Sequence, residues 1–298
     1  MDVPGAKPDR PLHWRRMPEL PEVEIVRRQI ASVLEGATIE RVEILDPRLV
    51  RPFDPGIVAA ELVGERVAAV DRRGKYLVVR FESRRVLLIH LRMTGSLRHA
   101  ARGALAHDPH RRAILSLDNG SDVGYRDIRR FGTWELLEPG EVQPFFAQRL
   151  GPEPLGSFSA ERLGRRLAGR RAPLKSTLLD QRTVAGLGNI YVDEALWHSR
   201  LHPLRVAGGL DGEEVRRLHR ALRKVLRLGI ERRGSTLTDF AAPDGAYGTM
   251  QHEFRAYGRA GEPCDRCRAS LERIVVGGRG TTFCPRCQAP GADERPYI

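Results

Sequence analysis

All four cysteines of the chain lie in one short segment near the C-terminus. They form two pairs, Cys264 with Cys267 and Cys284 with Cys287, and sixteen residues separate the pairs. This spacing predicts that each pair holds one side of a tetrahedral Zn²⁺ while the residues between the pairs form a β-hairpin. Thiolates would fill all four positions, so the zinc is predicted to be structural and not catalytic. A disulfide pair or a chance spacing is the alternative, but the absence of any further cysteine fits one metal site in a reducing cytosol.

The chain is strongly basic, which limits the partners it can have. It has 50 Lys and Arg against 38 Asp and Glu, and its formal net charge is +12. Such an excess indicates a polyanion, most often nucleic acid, although an arginine-rich proteome would produce the same balance. No apolar run is long enough to span a bilayer, and residues 1–16 lack the apolar segment of a secretory signal. We therefore expect a cytoplasmic protein with no membrane partner.

The N-terminal part of the chain reads as a β domain. Pro21 suits the first turn of a helix, and apolar residues at helical spacing follow it until Gly36. Asn119-Gly120 is a strong signal for a hairpin turn between two strands. Residues 17–140 are therefore predicted to form an antiparallel β domain with a leading helix. The strand-like segments are 38–45, 65–73, 76–82, 85–93, 112–118 and 122–137.

The C-terminal part of the chain has a helical pattern. Residues 141–158 are rich in Pro and Gly, and they predict a hinge between two domains. Residues 159–254 follow as a helical domain, in which the clearest helix begins at Asp211 with a capping box to Glu214. Residues 255–298 contain few apolar residues and hold the cysteines. The fold class predicted from these patterns is α+β.

Several motifs occur in an order that resembles one protein family. Together they closely resemble bacterial formamidopyrimidine-DNA glycosylase, a repair enzyme for oxidised purines, from about Met17 to Cys287. The resemblance implies an N-terminal antiparallel β-sandwich with a leading helix. It also implies a C-terminal helical domain with a helix–two-turn–helix and a four-cysteine zinc-finger β-hairpin. The motifs, besides the cysteines, are PELPEVE at 18–24, RRGKYL at 72–77, HLRMTGSL at 90–97, RDIRRFG at 126–132 and LLDQRTVAGLGNIY at 178–191.

In that family the initiator Met is removed and the nitrogen of the N-terminal proline is the nucleophile, which corresponds to Pro18 here. A free α-amino group has a pKa near 8, so a useful fraction is neutral near neutral pH. A proline nitrogen inside a peptide bond is not a nucleophile, so residues 1–16, an expected disordered extension, would block the chemistry. Either translation begins at Met17, or the extension is removed, or the chain has lost the activity. The intact remainder of the catalytic set favours the first explanation.

Three further residues are implied to act at the active site. By resemblance Glu19 is the general acid/base at the sugar, Glu22 supports the site, and Lys75 contacts the lesion nucleotide and its phosphate. The ordinary explanation for both glutamates is that acidic residues stabilise the first turn of a helix. The ordinary explanation for Lys75 is a solvated side chain in a turn.

A second group is implied to contact the DNA around the lesion. Extruding a nucleotide leaves a gap in the duplex, and by resemblance Met93 enters it, Phe131 wedges the stack and Arg129 bonds the orphaned cytosine. Asn189 and Arg279 resemble a clamp on the flanking phosphates, and Lys175 resembles a family lysine that also meets phosphate. The glycine-rich segment 243–251 resembles a loop that closes over the flipped base, although a mobile surface loop would look the same.

The resemblance implies a base-excision repair glycosylase with AP lyase activity and one structural Zn²⁺. It would remove 8-oxoguanine and formamidopyrimidines from double-stranded DNA through a proline Schiff base and β,δ-elimination. We expect a nucleoid-associated monomer whose partner is duplex DNA with oxidised bases or abasic sites. Two alternatives stay open. One is an endonuclease VIII-like glycosylase for oxidised pyrimidines, which Leu20 and RRGKYL disfavour. The other is a non-catalytic lesion-binding zinc-finger protein whose Pro18 is never freed.

Overall fold

The computed structural model describes residues 17–235 and 247–290 of the chain. The first element is helix α1, Leu20–Leu34, which Glu19 caps and which has Pro21 in its first turn. The buried side of α1 carries apolar residues at helical spacing, among them Val23, Val26 and Ile30.

Eight strands form two antiparallel four-stranded sheets in the N-terminal part. The first sheet has the order β1-β6-β7-β5 and the second has the order β2-β3-β4-β8. Apolar residues of α1 and of both sheets share one core, so the sheets form a sandwich closed by the leading helix. A short helix α2, Pro55–Leu62, lies between β1 and β2 in the chain. The strands are β1 Ile39–Ile44, β2 Val67–Arg73, β3 Tyr76–Phe81, β4 Val86–His90, β5 Gly95–Ala101, β6 Arg111–Leu117, β7 Ser121–Asp127 and β8 Thr133–Leu137.

The predicted return strand over 122–137 is divided between the two sheets. Its first half is β7 and its second half is β8, and these strands belong to different sheets. The five residues between them, 128–132, cross from one sheet to the other and carry Arg129 and Phe131. A Cβ at Gly132 would lie 1.6 Å from the hydroxyl of Tyr125, so only glycine allows this crossing.

The structure differs from the predicted hinge at 141–158 in the first half of that segment. Residues Val142–Arg149 form helix α3. Val142, Phe145 and Phe146 lie at the i, i+3 and i+4 spacing of one helix side, and they pack against Tyr76 and neighbouring strand residues. The apolar spacing therefore outweighs the breaker residues that suggested a linker.

Helices and a zinc-finger hairpin make up the C-terminal part. A second core joins the helices, and Leu20 of α1 packs into it. The long helix α7 has the capping box predicted at Asp211 and Glu214. In the finger, Gly277 and Gly278 form the turn of a two-stranded hairpin, and both have positive φ. The elements are α4 Ala160–Leu167, α5 Leu174–Leu179, α6 Asn189–Ser199, α7 Gly212–Glu231, β9 Glu272–Val276 and β10 Arg279–Phe283.

The predicted α+β fold class is confirmed by these sheets, helices and the C-terminal cysteine hairpin. None of the helices within residues 17–235 and 247–290 is both long and apolar enough to cross a membrane.

Candidate active site and DNA-binding surface

Glu19 lies where the β-sandwich meets the helical part. Its side chain is buried next to Pro18, which is buried as well. Its two carboxylate oxygens accept hydrogen bonds from the backbone amides of Ile190, at 2.9 Å, and Tyr191, at 3.3 Å. These amides belong to the first turn of α6, where the free N–H groups and the helix dipole favour a negative charge. The sequence pattern placed Glu19 beside Pro18, but it could not show that a helix 171 residues away would hold it.

The glycines of VAGLGNIY make this contact possible. A Cβ at Gly188 would lie 2.3 Å from the carboxyl carbon of Glu19, and a Cβ at Gly186 would lie 2.7 Å from side-chain atoms of Leu20. Gly186 also has φ +85°, a conformation that glycine adopts without strain. In the structure these glycines admit the first residues of α1.

Glu22 is enclosed one turn further along α1. Its carboxyl group accepts hydrogen bonds from the backbone amide of Glu19 at 3.1 Å, from the hydroxyl of Tyr191 at 2.9 Å and from the amide of Ser235 at 2.9 Å. Burial and the nearby charge of Glu19 raise its pKa to about 7, in spite of these donors. Glu22 therefore ties α1, α6 and the segment after α7 together.

Lys75 occupies the tight turn between β2 and β3. Gly74 in this turn has φ +58°, and the Lys75 side chain is buried. Burial lowers the pKa of Lys75, the negative charge of Glu19 opposes this effect, and Arg279 adds to it. Glu19 and Arg279 are therefore both within electrostatic reach of Lys75, as a common cleft requires.

Glu153 holds the turn that carries Lys75, and the sequence analysis did not find it. Its carboxylate accepts hydrogen bonds from Arg72 at 3.1 Å and from Arg73 at 3.0 Å, and also from the backbone amide of Gly74. The only signal in the sequence is an acidic residue inside a Pro-rich segment, and that pattern is too common to predict a contact.

Met93, Arg129 and Phe131 lie on two neighbouring loops. Met93 is half-buried after β4, and Phe131 is exposed by 50% in the crossing between β7 and β8. The guanidinium carbon of Arg129 lies 4.8 Å from the centroid of the Phe131 ring. An exposed aromatic ring with a cation over it is suited to entering a base stack.

Asp127 fixes both of these loops from below. One carboxylate oxygen accepts from the hydroxyl of Thr94, next to Met93, and from the amide of Arg129 at 3.1 Å. The other accepts from the amides of Phe131 at 2.9 Å and Gly132 at 2.8 Å. Asp127 is almost fully buried, and these four hydrogen bonds satisfy both of its carboxylate oxygens. Sequence reasoning missed this residue, although an Asp at the end of a strand before a loop is a typical acceptor.

Asn189 and Arg279 are brought together by the finger hairpin. The side-chain amide of Asn189 donates to the carbonyl of Gly280 at 3.0 Å, and Gly280 follows Arg279 directly. Arg279 is exposed at the end of the hairpin. The first turn of α6 and the tip of the finger therefore present their polar groups on one surface.

Lys175 does not lie on that surface, contrary to the expectation of a phosphate contact. It is fully buried, and its ammonium group lies 2.6 Å from Asp193, 2.7 Å from the hydroxyl of Thr281 and 3.2 Å from the carbonyl of Gly280. An ammonium group has three donors, and all three are used here. Lys175 therefore anchors the hairpin to α6 from behind.

The four cysteines converge as a zinc site requires. The sulfur atoms of Cys264, Cys267, Cys284 and Cys287 all lie within 4.8 Å of one another. Zinc–sulfur bonds of about 2.3 Å in a tetrahedron place the sulfur atoms roughly 3.8 Å apart, so a small adjustment closes the site.

Of the segment 243–251, residues 243–246 fall outside the described residues. Thr249 forms a β-bridge with Ser235, beside Glu22.

Family models match most of the chain in three consecutive segments. The N-terminal domain of formamidopyrimidine-DNA glycosylase matches residues 17–134, and the H2TH domain of the same family matches residues 150–241. The chain belongs to the formamidopyrimidine-DNA glycosylase family. The zinc finger found in FPG and IleRS matches residues 261–290, which agrees with the converging cysteines and confirms the predicted structural zinc.

The similar proteins cover almost the whole chain. The formamidopyrimidine-DNA glycosylase of Herpetosiphon aurantiacus is 43% identical over 275 residues, which are 92% of this chain and 100% of that protein. The one of Symbiobacterium thermophilum is 46% identical over 274 residues, 91% of this chain and 89% of that protein. A solved complex of Lactococcus lactis Fpg with abasic-site DNA has a TM-score of 0.85 at 38% identity, and the match covers 91% of this chain and 99% of that one. The family predicted from the ordered motifs is confirmed.

Proposed function

We propose that this chain is a bifunctional glycosylase and AP lyase of base-excision repair that removes oxidised purines from duplex DNA. The observation that carries the proposal is the pair Pro18 and Glu19 at the junction of the two parts, where the first turn of α6 holds Glu19. Similar solved structures include Lactococcus lactis FPG with DNA that contains Fapy-dG or an abasic site. A Fapy-dG complex supports a purine lesion as the substrate.

The proposed reaction requires a free nitrogen on Pro18. Its lone pair attacks C1′ of the damaged nucleotide, the C1′–base bond breaks, and the base leaves with a proton. The C1′–O4′ bond then opens, O4′ takes a proton, and C1′ and the nitrogen form an iminium. The iminium acidifies C2′, so that the 3′ and then the 5′ phosphate leave by β- and δ-elimination. In the sequence as written, Met17 acylates this nitrogen. The active form in this proposal therefore begins at Pro18, and the family match, which begins at residue 17, supports this.

The neighbours of Pro18 take the roles that their surroundings allow. Glu19 passes protons at the sugar, since it lies beside the nucleophile with its carboxylate fixed. Lys75 meets the lesion nucleotide, and Glu153 holds its turn. Glu22, whose pKa is about 7, supports the backbone amide of Glu19 and does not contact substrate.

The exposed groups hold the DNA. Met93 and Phe131 fill the gap that the extruded nucleotide leaves, and Arg129 bonds the unpaired cytosine. Asn189 and Arg279 clamp the phosphates next to the lesion, and buried Lys175 positions them through Gly280. In this proposal the protein works as a monomer on the nucleoid. Residues 17–140 form the catalytic domain, and residues 159–254 and 255–298 contain the DNA-binding elements.

Borohydride trapping on a duplex with 8-oxoguanine opposite cytosine tests the proposal. A chain started at Met17, and so processed to Pro18, is compared with the full chain, and the adduct is mapped by mass spectrometry. We expect a covalent adduct on Pro18 from the short form only. DNA binding without an adduct from either form would contradict the proposal and leave a non-catalytic lesion-binding protein. Faster excision of thymine glycol than of 8-oxoguanine would instead identify a pyrimidine enzyme.

A further inference from the structure

The exposed side of α7 carries basic residues that the glycosylase reaction does not use. Arg216, Arg220, Lys224 and Arg227 are all exposed, and they follow one another at intervals of one helical turn. Within the described parts of the chain, none of the four forms an ion pair, whereas their half-buried neighbour Arg217 pairs with Glu213 at 3.4 Å. These four residues are called the basic face of α7.

The basic face points away from the candidate active site. At 3.6 residues per turn, its four side chains fall within an arc of about 80° on the helix. The arc is centred about 180° from Gly229. Gly229 packs directly against Tyr191, whose hydroxyl bonds Glu22, and a Cβ at Gly229 would lie 2.6 Å from the ring. One side of α7 thus supports the active site, and the opposite side presents the cations.

The surface around the basic face is an open, positively charged groove. A groove of about 530 Å³ runs along α7 and is lined by Arg220, Lys224 and Arg227. A second groove meets it at Lys224 and is lined by Arg255 and Arg266 of the finger region. The pKa of His198 in this second groove is lowered to about 4, by burial first and then by the charges of Lys224, Arg266 and Arg255. Four cations and one carboxylate, Glu231, line the first groove. Three cations and two carboxylates, Glu253 and Asp265, line the second, where Arg255 pairs with Asp265 at 2.8 Å. The lining of both grooves therefore has a net positive charge.

We propose that the basic face of α7 binds the phosphate backbone of a second DNA duplex while the first duplex lies against Pro18. From Arg216 to Arg227 the face is about 16 Å long, and that length of duplex axis presents on the order of ten phosphates. Three of the four residues are arginine, whose planar guanidinium suits phosphate. A membrane-binding helix would turn apolar anchors outward, but the apolar residues of α7 are buried in the second core or, like half-buried Leu228 and Ile230, packed against it. Two such surfaces allow the protein to bridge two segments and to pass between them.

The test uses the chain started at Met17, whose Pro18 is free, with its active-site surface already occupied. The protein is saturated with a short duplex that contains a tetrahydrofuran abasic analogue, labelled with one dye. A second, undamaged duplex with another dye is then titrated in, and its anisotropy is followed at several NaCl concentrations. The variant R216Q/R220Q/K224Q/R227Q removes the charges with a good helix former. The matched control, R216K/R220K/K224R/R227K, keeps them.

For the wild type and the charge-conserving control, we expect the second duplex to bind while the first stays bound. In the glutamine variant the affinity for the second duplex falls by about 10-fold or more at low salt. The slope of log K against log salt falls by about 2 to 4, since each phosphate contact contributes about 0.9. Cleavage of a short lesion duplex remains unchanged.

Three results would overturn the inference: no ternary complex with the wild type, equal affinity in the glutamine variant, or displacement of the first duplex by the second. The inference would also be overturned if the second duplex did not bind and phosphatidylserine vesicles bound in a way that depends on these four charges. That result would identify a lipid-binding surface. Failure of the tetrahydrofuran duplex itself to bind would count against the proposed function and not against this second surface, because the two sites are read with separate dyes.

Discussion

Two parts of the proposed site are built in opposite ways. At the junction, Glu19 and Glu22 are buried, and they are held by backbone amides and a hydroxyl of α6 and by an amide of the segment after α7. At the loops, Phe131 is half exposed, and only the backbone around it is fixed, by buried Asp127. A group that moves protons must be held at its own functional atoms. A side chain that enters a base stack needs a rigid backbone behind it and a free tip, which here is the exposed ring.

The first test of this difference is Glu19→Gln, the substitution with the largest expected effect. The amide oxygen can still accept from Ile190, but the side chain can no longer exchange a proton. We expect kcat for base excision to fall by about 10³-fold, within the range for loss of general acid/base catalysis, while DNA binding is retained. Single-turnover excision and equilibrium titration measure the two quantities. Glu24→Gln, on the same helix, is the control and should change kcat by less than about 3-fold. Equal losses in both variants would mean that Glu19 only caps the helix.

The second test asks whether Lys175 supports the phosphate clamp from behind. Lys175→Met leaves Asp193 buried without its counter-ion, so the free energy of unfolding should fall by about 3–5 kcal/mol. Adding Asp193→Asn should recover part of this loss, and urea unfolding of both variants checks it. The salt slope of DNA binding should stay unchanged. A slope lower by about 0.9, without destabilisation, would restore the original expectation of a direct phosphate contact.

The third test separates the support of the loops from their tips. Asp127→Asn replaces one acceptor oxygen of the carboxylate by a donor, which then faces the amides of the loop or Thr94. We expect a loss of about 3 kcal/mol in the free energy of unfolding, together with slower excision of 8-oxoguanine. Phe131→Ala should slow excision as well but change stability by less than about 0.5 kcal/mol, because the ring is exposed. If Phe131→Ala destabilises the fold as much as Asp127→Asn does, the free-tip description is wrong.

The sequence predicted the helices, the strands and the family better than it predicted the contacts that hold the site residues in place. Periodic apolar residues identified α1 and α7, and cysteine spacing identified the zinc site, because these signals are local in the chain. The contact from α6 to Glu19 spans 171 residues, and nothing local marks it. Lys175 shows the same limit. Its motif resembles a phosphate-binding lysine, but the nearby Asp193 and the finger hairpin decide where its ammonium group lies.

The supports of the loops and of the Lys75 turn were missed for a related reason. Asp127 and Glu153 act through backbone amides, and any sequence could offer such donors. Only the folded chain shows which amides face a buried carboxylate. Residues that carry the chemistry can therefore be found from a motif, whereas residues that hold them require the structure.

The smallest expected effect concerns the pH dependence of the junction. The pKa of Glu22 rises from 4.5 to about 7 on folding, so between these pH values the folded protein binds more protons at this residue than the unfolded chain does. Stability therefore falls as the pH rises through this window and levels off above it, by at most about 3 kcal/mol from this residue.

Glu22→Gln places an amide group against the backbone amide of Glu19, which costs stability equally at every pH. Its unfolding free energy should consequently be lower at pH 5 but decline less between pH 5 and pH 7.5 than that of the wild type. Because Asp193 and Glu194 also have pKa values raised to about 7, the informative quantity is the difference between the two chains and not either slope alone. If the unfolding free energy of the two chains fell equally with pH, Glu22 would already be ionised at pH 5. The hydroxyl of Tyr191 and the amide of Ser235 would then stabilise its charge more than burial opposes it.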